Sequence, residues 1–176
     1  MLNDEEFAAL FDAYRPRVYA YAVSRCGRGL AEEVVSETFV VVWRRRDVIP
    51  AKAPLPWLLG VAHNVIRELY RDEFRRAALD EALRIWTEEL EGDVADQVAE
   101  RATAMKALST LSDADKEVLT LVSWHGLTSA QAAAVVGSSR SAFFVRLHRA
   151  RRRLEAAMNN VTAADPRPAF IPEEDK

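Results

Sequence analysis

The sequence predicts an all-α protein made of two small helical domains joined by a linker, with a helix-turn-helix in the C-terminal domain. Three observations predict this class. Apolar residues recur every three to four positions in each long segment, which is the period of an amphipathic helix. No stretch alternates apolar and polar residues as a half-buried strand does, and no GxGxxG-type loop occurs. Between residues 128 and 154, the chain carries the start, stop and restart signals of two closely connected helices.

The first domain is expected over residues 1–76. Phe7, Phe11 and Tyr14 lie on one face of a first helix, and a second apolar face follows over residues 31–42 after a glycine break. Residues 38–43 (TFVVVW) are rich in β-branched side chains and could form a strand. A helix is still predicted there, because the helical pattern starts earlier and no partner strand is evident. Three prolines then precede a third helix.

An acidic linker is expected over residues 77–100. It holds eight acidic residues and one arginine, a net charge of −7. Leu79, Leu83, Trp86 and Leu90 nevertheless recur at helical spacing, which argues against complete disorder. The linker could therefore pack on a domain in the free protein, and the sequence leaves this open.

The second domain is expected over residues 101–160, followed by a flexible, proline-containing tail at 161–176. Ser112 is a candidate cap for one helix. Thr128 with Gln131 forms a capping box that starts the next, and Gly137 suits the positive φ at its end. Ser138 or Ser139 can cap the last helix.

One face of this last helix is basic, with no acidic residue before Glu155. Residues 101–158 contain nine basic and four acidic residues, so the segment carries a net charge of +5 within a chain of net charge −3. A basic helix that follows a glycine turn is typical of a helix-turn-helix that enters the DNA major groove. The alternative is an ordinary helical hairpin with a solvated face, but such faces usually mix signs. The basic residues are Arg140, Arg146, Arg149, Arg151, Arg152 and Arg153.

Several classes of protein are disfavoured. The single cysteine, Cys26, excludes an internal disulfide, and the three histidines are too scattered to suggest a metal site. No apolar run is long enough to span a membrane, and the acidic N-terminus does not resemble a secretory signal, so a cytoplasmic protein is expected. No nucleophile–base pair or phosphate loop is evident. We therefore expect no catalytic site and no cofactor.

Four stretches together resemble the sigma factors of bacterial RNA polymerase, specifically the two-domain extracytoplasmic-function (ECF) group. Three belong to the first domain: FAALFDAYRPRVYAYA, AEEVVSETFVVVW and PWLLGVAHNVIRELYR. The second is similar to the family's blocks written AEDLVQETF, and the third to its WLYRIARN segment. The fourth covers residues 108–154 and ends in LHRARRRL, as the family's second domain does. The blocks occur in the family's order and spacing.

This resemblance implies that the AEEVVSETF block docks on the clamp helices of the polymerase largest subunit. Glu32, Glu33 and Glu37 would supply carboxylates for arginines of the partner. Ser36 stands where the family usually has glutamine. A second interpretation is that Glu32 and Glu33 complement a helix dipole.

The resemblance also implies that the third stretch captures melted DNA. Asn64 falls where the family's asparagine lines a pocket for a base of the minus-ten element, and Arg67 and Arg71 are candidate phosphate contacts. Arg75 and Arg76 are further candidates. His63 replaces the usual arginine. The alternative for the arginines is pairing with nearby acids on a solvated helix, and Trp57 is expected mainly in the core.

The family's second domain reads the minus-thirty-five element as duplex. The groove-facing positions implied here are Arg140, Ser141, Phe144, Val145, His148 and Arg149. Phe144 and Val145 depart from the Lys or Arg and Ser common in the family; they can pack on a thymine methyl but cannot hydrogen-bond base edges. The alternative for Phe144 is burial against a neighbouring helix or a partner. Arg151, Arg152 and Arg153 are expected to meet phosphate or the polymerase flap.

The partners implied are RNA polymerase core, through its clamp helices and flap, promoter DNA, and an anti-sigma factor. The competing hypothesis is a helix-turn-helix regulator that binds palindromic sites as a homodimer without polymerase. It leaves the blocks of the first domain unexplained.

Overall fold

The computed structural model describes residues 2–69 and 95–164, with side chains described from residue 101 in the second range. These ranges contain seven helices and no strand, which confirms the all-α class. Arg71, Arg75, Arg76, the apolar stripe of the linker and residues 165–176 lie outside the described residues. The helices are α1 (Asp4–Cys26), α2 (Arg28–Arg44), α3 (Pro54–Leu69), α4 (Ala95–Ser109), α5 (Asp113–Ser123), α6 (Ser129–Val135) and α7 (Arg140–Ala164).

The first domain packs α1, α2 and α3 against one another. A capping box starts α1: Asn3 Oδ1 accepts from the Glu6 amide at 2.8 Å, and Glu6 Oε2 accepts from the Asn3 amide at 2.9 Å. The strand-prone stretch 38–43 lies inside α2, as predicted. Phe39 is buried there and contacts the rings of Phe7 and Phe11, so tertiary burial overrides local β propensity.

The second domain packs α4, α5 and α6 around α7. Ser112 caps α5 through the Asp115 amide at 3.2 Å. The helix α4 begins inside the range expected to be linker. The helix α7 runs to Ala164, so the first four residues of the expected flexible tail are helical. No proline or glycine occurs between residues 140 and 164 to stop the helix earlier.

The two domains pack together around one continuous apolar core. The main contact is α6 on α3, where a Cβ built on Gly60 would lie 3.8 Å from the Cα of Val135. This arrangement places the first helix of the helix-turn-helix beside the face of α3 that carries Asn64. Nothing in the sequence predicts it.

Candidate functional site

The helix-turn-helix is built by the local signals expected from the sequence. The Thr128 hydroxyl accepts from the Gln131 amide at 3.2 Å, and the Gln131 side chain accepts from the Thr128 amide at 2.9 Å. Gly137 has φ 64°, and Ser139 accepts from the Ala142 amide at 3.2 Å, so Ser139 caps α7. These caps fix where α7 begins, and hence which of its residues face outward.

Three buried residues anchor α7: Phe143, Leu147 and Ala150 are 0%, 3% and 0% exposed. The helical period then turns the positions between them toward solvent. All six residues expected to face duplex DNA are exposed. They are Arg140, Ser141, Phe144, Val145, His148 and Arg149.

A shallow depression of about 540 Å³ runs along α7. It brings together Ser141, Val145 and Arg149 of the expected set. Arg146 and Arg153 also line it, although neither was among the residues assigned to the groove. The signal for Arg146 was present in the sequence, since residues 142, 146, 149 and 153 follow helical spacing.

Phe144 is 62% exposed and Val145 is 47% exposed. The alternative that Phe144 packs against a neighbouring helix is therefore wrong within the described residues; the buried phenylalanine is Phe143. Two exposed apolar side chains on a basic helix have the chemistry to contact thymine methyl groups, and the adjacent arginines have hydrogen-bond donors and positive charge. Burial of Phe144 against a partner stays an alternative.

Part of the basic face is engaged within the domain. Arg153 Nη1 lies 2.7 Å from Asp115 Oδ2, and that aspartate is buried whereas the arginine is exposed. Arg151 and Arg152 are also exposed. The cationic surface of α7 therefore extends as far as Arg153, and no basic residue follows it up to Ala164.

The three expected docking carboxylates, Glu32, Glu33 and Glu37, are exposed on α2. Arg15 Nη2 donates to both oxygens of Glu32, at 2.9 and 3.0 Å, so this carboxylate already has one arginine partner within the first domain. The first turn of α2 contains no acidic residue. Because the dipole effect is confined to about the first turn, this weakens the interpretation of Glu32 and Glu33 as dipole-complementing charges.

Asn64 is exposed on α3 and lines a cleft of about 570 Å³ between the domains. Arg45 and Trp57 line the first-domain side of the cleft. Trp57 is partly buried against the core, as expected. Arg67, the other described candidate, is exposed one turn beyond Asn64. The opposite wall belongs to the helix-turn-helix: Ala130, Gln131 and Ala134.

A buried polar cluster joins the two domains, and we call its members, Tyr21, Arg25, His63 and Glu117, the Glu117 cluster. The Tyr21 hydroxyl donates to Glu117 Oε1 at 2.7 Å, His63 Nδ1 lies 2.8 Å from the same oxygen, and Arg25 Nε lies 3.2 Å away. A carboxylate only accepts, so the His63 contact is a hydrogen bond with the proton on Nδ1. Three groups of the first domain thus converge on one carboxylate of the second.

The charges of this cluster stay ionised although they are buried. Burial alone would raise the pKa of Glu117, but the hydrogen bond from His63 and the charge of Arg25 outweigh it and lower that pKa to about 2. Burial, and then the charge of Glu117, raises the pKa of Tyr21 well above its ordinary value. The cluster is therefore a buried ion pair of Arg25 and Glu117, with Tyr21 and His63 as further hydrogen-bond partners of the same carboxylate.

Sequence reasoning missed the Glu117 cluster, because its members lie far apart in the chain. One signal was available: Glu117 precedes the buried Leu121 by four residues, so it lies on an apolar face of α5. His63 was noted only as a departure from the family's arginine. Its partner is supplied by the other domain.

Neither a cluster of metal-ligand side chains nor a membrane-spanning helix is found in the parts of the chain that the structure describes. No group of three or more His, Cys, Asp and Glu side chains there could hold a metal ion. Within residues 2–69 and 95–164, no helix combines the length and the apolarity needed to cross a bilayer.

Comparison with known families matches both domains. Residues 10–76 match Sigma-70 region 2, and residues 101–154 match Sigma-70 region 4. The first match contains the part of α3 that lines the cleft beside Asn64, together with the carboxylates of α2. The second match contains the helix-turn-helix. A regulator with an unrelated first domain would not give the first match.

Similar proteins span most of the chain. The RNA polymerase sigma factor CnrH of Cupriavidus metallidurans is 32% identical, with 89% of this chain and 94% of CnrH covered. The ECF RNA polymerase sigma factor SigK of Mycobacterium sp. (strain KMS) is 34% identical over 72% of this chain and 69% of its own. A solved structure of CnrH in complex with the cytosolic domain of CnrY is similar with a TM-score of 0.61 and 28% identity, covering 90% of each chain. The chain belongs to the ECF group of the sigma-70 family of bacterial RNA polymerase sigma factors.

Proposed function

We propose that this protein is a non-enzymatic, cytoplasmic initiation factor that brings RNA polymerase core to specific promoters, with the work divided between the two domains. The observation that carries the proposal is the pairing of an exposed basic helix, held by a capped glycine turn, with a first domain of the sigma region 2 family. A helix-turn-helix alone would only indicate DNA binding. The first domain makes promoter-directed polymerase binding the better account.

Helix α7 reads the minus-thirty-five element as duplex. Arg140, His148 and Arg149 present donors to base edges, and Phe144 and Val145 present apolar surface suited to thymine methyl groups. The remaining arginines contact phosphate or the polymerase flap, which positions the helix without reading sequence. Binding should therefore weaken steeply as salt rises, because each neutralised phosphate releases counterions.

Helix α2 docks on the clamp helices of the polymerase largest subunit. Glu33 and Glu37 lie four residues apart on one exposed face, which continues to Val40. Carboxylates accept bidentate hydrogen bonds from arginine, and the exposed valine adds apolar area at the centre of such a contact. Glu32 joins this surface, because its largely exposed carboxylate can accept from a partner's arginine in addition to Arg15.

Helix α3 captures the melted minus-ten strand. Asn64 offers an amide donor and an acceptor to a flipped base, Trp57 and Arg45 line the same cleft, and Arg67 lies one turn away for phosphate. Arg71, seven residues after Asn64 in the sequence, completes the proposed set of phosphate contacts. A base would enter the cleft from the side that α6 borders.

An anti-sigma factor is the proposed protein partner of the free chain. The similar CnrH structure holds the cytosolic domain of CnrY, and it covers 90% of this chain. Such a partner would have to bind both domains or the surfaces that polymerase uses, because those are the surfaces whose masking prevents initiation.

The test is run-off transcription by core polymerase from a related bacterium on a pool of genomic fragments, with and without this protein. We expect new discrete start sites that share two spaced upstream elements. Asn64→Ala should abolish them, whereas Glu68→Ala, an exposed change one turn further on α3, should not. Absence of transcripts, together with palindromic duplex binding by a homodimer, would refute the proposal in favour of a conventional regulator.

A further inference from the structure

We propose that Val145 and Arg149 of α7 together read one base step of the promoter duplex, a guanine next to a pyrimidine that carries a methyl group at C5. That pyrimidine is thymine or 5-methylcytosine. The inference rests on the proposed duplex recognition by α7, and it adds which bases this helix discriminates. Its regulatory consequence is that methylation of a cytosine at this step raises the affinity for the promoter.

Val145 is the large apolar side chain that lines the depression along α7. It is 47% exposed and lies one helical turn before Arg149, which lines the same depression. Phe144 is more exposed, but it is not among the described residues that line the depression. Of the two exposed apolar side chains of α7, Val145 is therefore the one that lies beside the arginines of the depression.

Arg149 has an unpaired guanidinium. The residue is exposed and forms no ion pair with any residue that the structure describes. Arg153, in contrast, is held by the buried Asp115, with 2.7 Å between Nη1 and Oδ2. An unpaired guanidinium can donate two hydrogen bonds to O6 and N7 of a guanine, which is the commonest specific contact in the major groove. Arg149 therefore has the chemistry to identify a guanine.

Helix geometry makes Val145 and Arg149 act together. Residues four apart on a helix are neighbours, with Cβ atoms about 5–6 Å apart, whereas consecutive residues do not face each other. The neighbour of Val145 on the helix surface is therefore Arg149 and not Arg146. Side chains also lean toward the N-terminus of their helix, which directs Arg149 back over the turn that holds Val145. The pair thus suits two stacked bases, which are about 3.4 Å apart.

A C5-methyl group distinguishes the pyrimidines that this pair accepts. Thymine and 5-methylcytosine present the methyl group in the major groove, whereas uracil and cytosine do not. Valine forms no hydrogen bond with the rest of the base edge, and its branched side chain has one strongly preferred rotamer in a helix. Its apolar surface is therefore held in one place. Serine, which is common at this position in the family, would instead present a hydroxyl group.

The test begins with selection from a pool of random duplexes by the full-length protein, alone and with core polymerase. In the enriched duplex, each pyrimidine next to a guanine is made as thymine, uracil, cytosine or 5-methylcytosine, with the matching purine opposite. Fluorescence anisotropy at fixed salt measures the affinities. At one step we expect the methyl group to raise the affinity about three- to fivefold, both for thymine over uracil and for 5-methylcytosine over cytosine. Each comparison keeps the opposite purine, so it isolates the methyl group.

Three exposed positions supply the variants. Val145→Ala should reduce both methyl effects at this step to less than about twofold, because one side of the methyl contact is lost. Arg149→Ala should do the same and should also abolish the preference for guanine over 7-deazaguanine, which lacks the N7 acceptor. Phe144→Ala is the comparison: it should lower the overall affinity but keep both methyl effects at this step. Far-UV circular dichroism shows whether each variant retains its helices.

Two results would overturn the inference while duplex recognition by α7 stands. One is the absence of a methyl effect at every pyrimidine next to a guanine, and the other is a methyl effect that persists in Val145→Ala. Failure to enrich any duplex, alone or with polymerase, would overturn it as well. The proposed function is decided separately, because it fails only if the protein and core polymerase give no promoter-specific transcript in the run-off assay.

Discussion

The imidazole ring of His125 lies edge-on against the phenol ring of Tyr21, with ring centroids 5.5 Å apart and planes at 72°. This contact joins the segment after α5 to α1. His125 Nε2 is buried and has no hydrogen-bond partner among the described residues. Burial, reinforced by the charge of Arg17, lowers the pKa of His125 to about 4. The folded protein therefore keeps this imidazole neutral near pH 7.

The stability of the protein should fall in mild acid because of His125. The unfolded chain protonates this histidine near pH 6.5, whereas the folded protein does so near pH 4. The unfolded state therefore binds more protons in this range, and the contribution present above pH 6.5 is lost as the pH falls toward 4. Between pH 6.5 and 4.5 we expect a loss of about 2 kcal/mol in the free energy of unfolding, measured by urea denaturation.

His125→Phe is the control for this pH effect. Phenylalanine keeps an aromatic ring against Tyr21 but cannot titrate, so the variant should lose clearly less stability over the same range. Glu117, with its pKa near 2, loses its contribution only below about pH 4.5, so it does not confound the measurement. An unchanged pH slope in the variant would assign the effect to other groups.

The local parts of this fold could be predicted from the sequence, because local chemistry determines them. The capping box at Thr128, the glycine at residue 137 and the buried face of α7 follow from backbone donors, φ preference and helical period. The exposure of Asn64 and of the six α7 residues follows from the same periodicity. The roles of these residues came from the family resemblance and remain predictions.

The contacts between domains could not be predicted in this way. Tyr21 and Glu117 are 96 residues apart, and nothing in their neighbourhoods encodes the pairing. The sequence around Glu117 indicates only that a charged residue shares a helix face with Leu121. Which partner compensates that charge depends on how α6 packs on α3, and several polar residues could have served. The end of the last helix was also missed: the second domain was expected to end at residue 160, whereas α7 runs to Ala164.

Two adjacent phenylalanines on α7 should affect different properties when each is replaced by alanine: Phe143 should affect stability, and Phe144 should affect DNA binding. Phe143 is fully buried, so Phe143→Ala should cost about 3–5 kcal/mol of stability through the cavity it leaves. Phe144 is largely exposed, so Phe144→Ala should change stability by less than about 0.5 kcal/mol. Instead it should weaken binding to a recovered promoter duplex about three- to tenfold, through loss of apolar contact with thymine.

Fluorescence anisotropy on that duplex and on one with uracil in place of each thymine distinguishes the roles of Phe144. If the side chain packs on a thymine methyl, one uracil substitution should weaken duplex binding by the unaltered protein but not duplex binding by the Phe144→Ala variant. Equal sensitivity of both proteins to every substitution would instead favour a protein partner for Phe144. The stability measurement is made in parallel by urea denaturation.

Reversal of one charge on α2 should weaken polymerase binding without unfolding the domain. Glu37 is exposed and shares a face with Glu33, so Glu37→Lys should repel arginines of the clamp helices. We expect the affinity for core polymerase to fall about tenfold or more, equivalent to at least about 1.4 kcal/mol. The measurement is binding of labelled protein to core enzyme at fixed salt.

Asp12→Lys is the charge-matched control, since Asp12 is exposed on α1 rather than on α2. It changes the net charge by the same amount and should leave the affinity within about twofold if long-range attraction is screened. A similar loss in both variants would mean that total charge, and not the α2 surface, governs binding to the polymerase.

Two glycines should respond in opposite directions to replacement by alanine. Gly60 lies inside α3, where glycine is less favourable than alanine by about 1 kcal/mol, and a Cβ there would meet Val135 at an ordinary contact distance of 3.8 Å. Gly60→Ala should therefore raise the free energy of unfolding by about 0.5–1 kcal/mol and keep α6 on α3. Gly137 has φ 64°, and alanine there costs about 1–2 kcal/mol although no atom lies close to the new Cβ.

Urea denaturation of both variants measures these changes, and the radius of gyration from small-angle X-ray scattering shows whether the Gly60→Ala variant stays compact. The comparison distinguishes a glycine that the backbone conformation requires from one that it does not require. At Gly137 the backbone requires the residue, because the turn between α6 and α7 needs positive φ. At Gly60 the helix does not require it, and the neighbouring helix leaves room for one methyl group. If Gly60→Ala lowered the free energy of unfolding or increased the radius of gyration, α6 would have to approach α3 more closely than the distance of 3.8 Å between the new Cβ and the Cα of Val135.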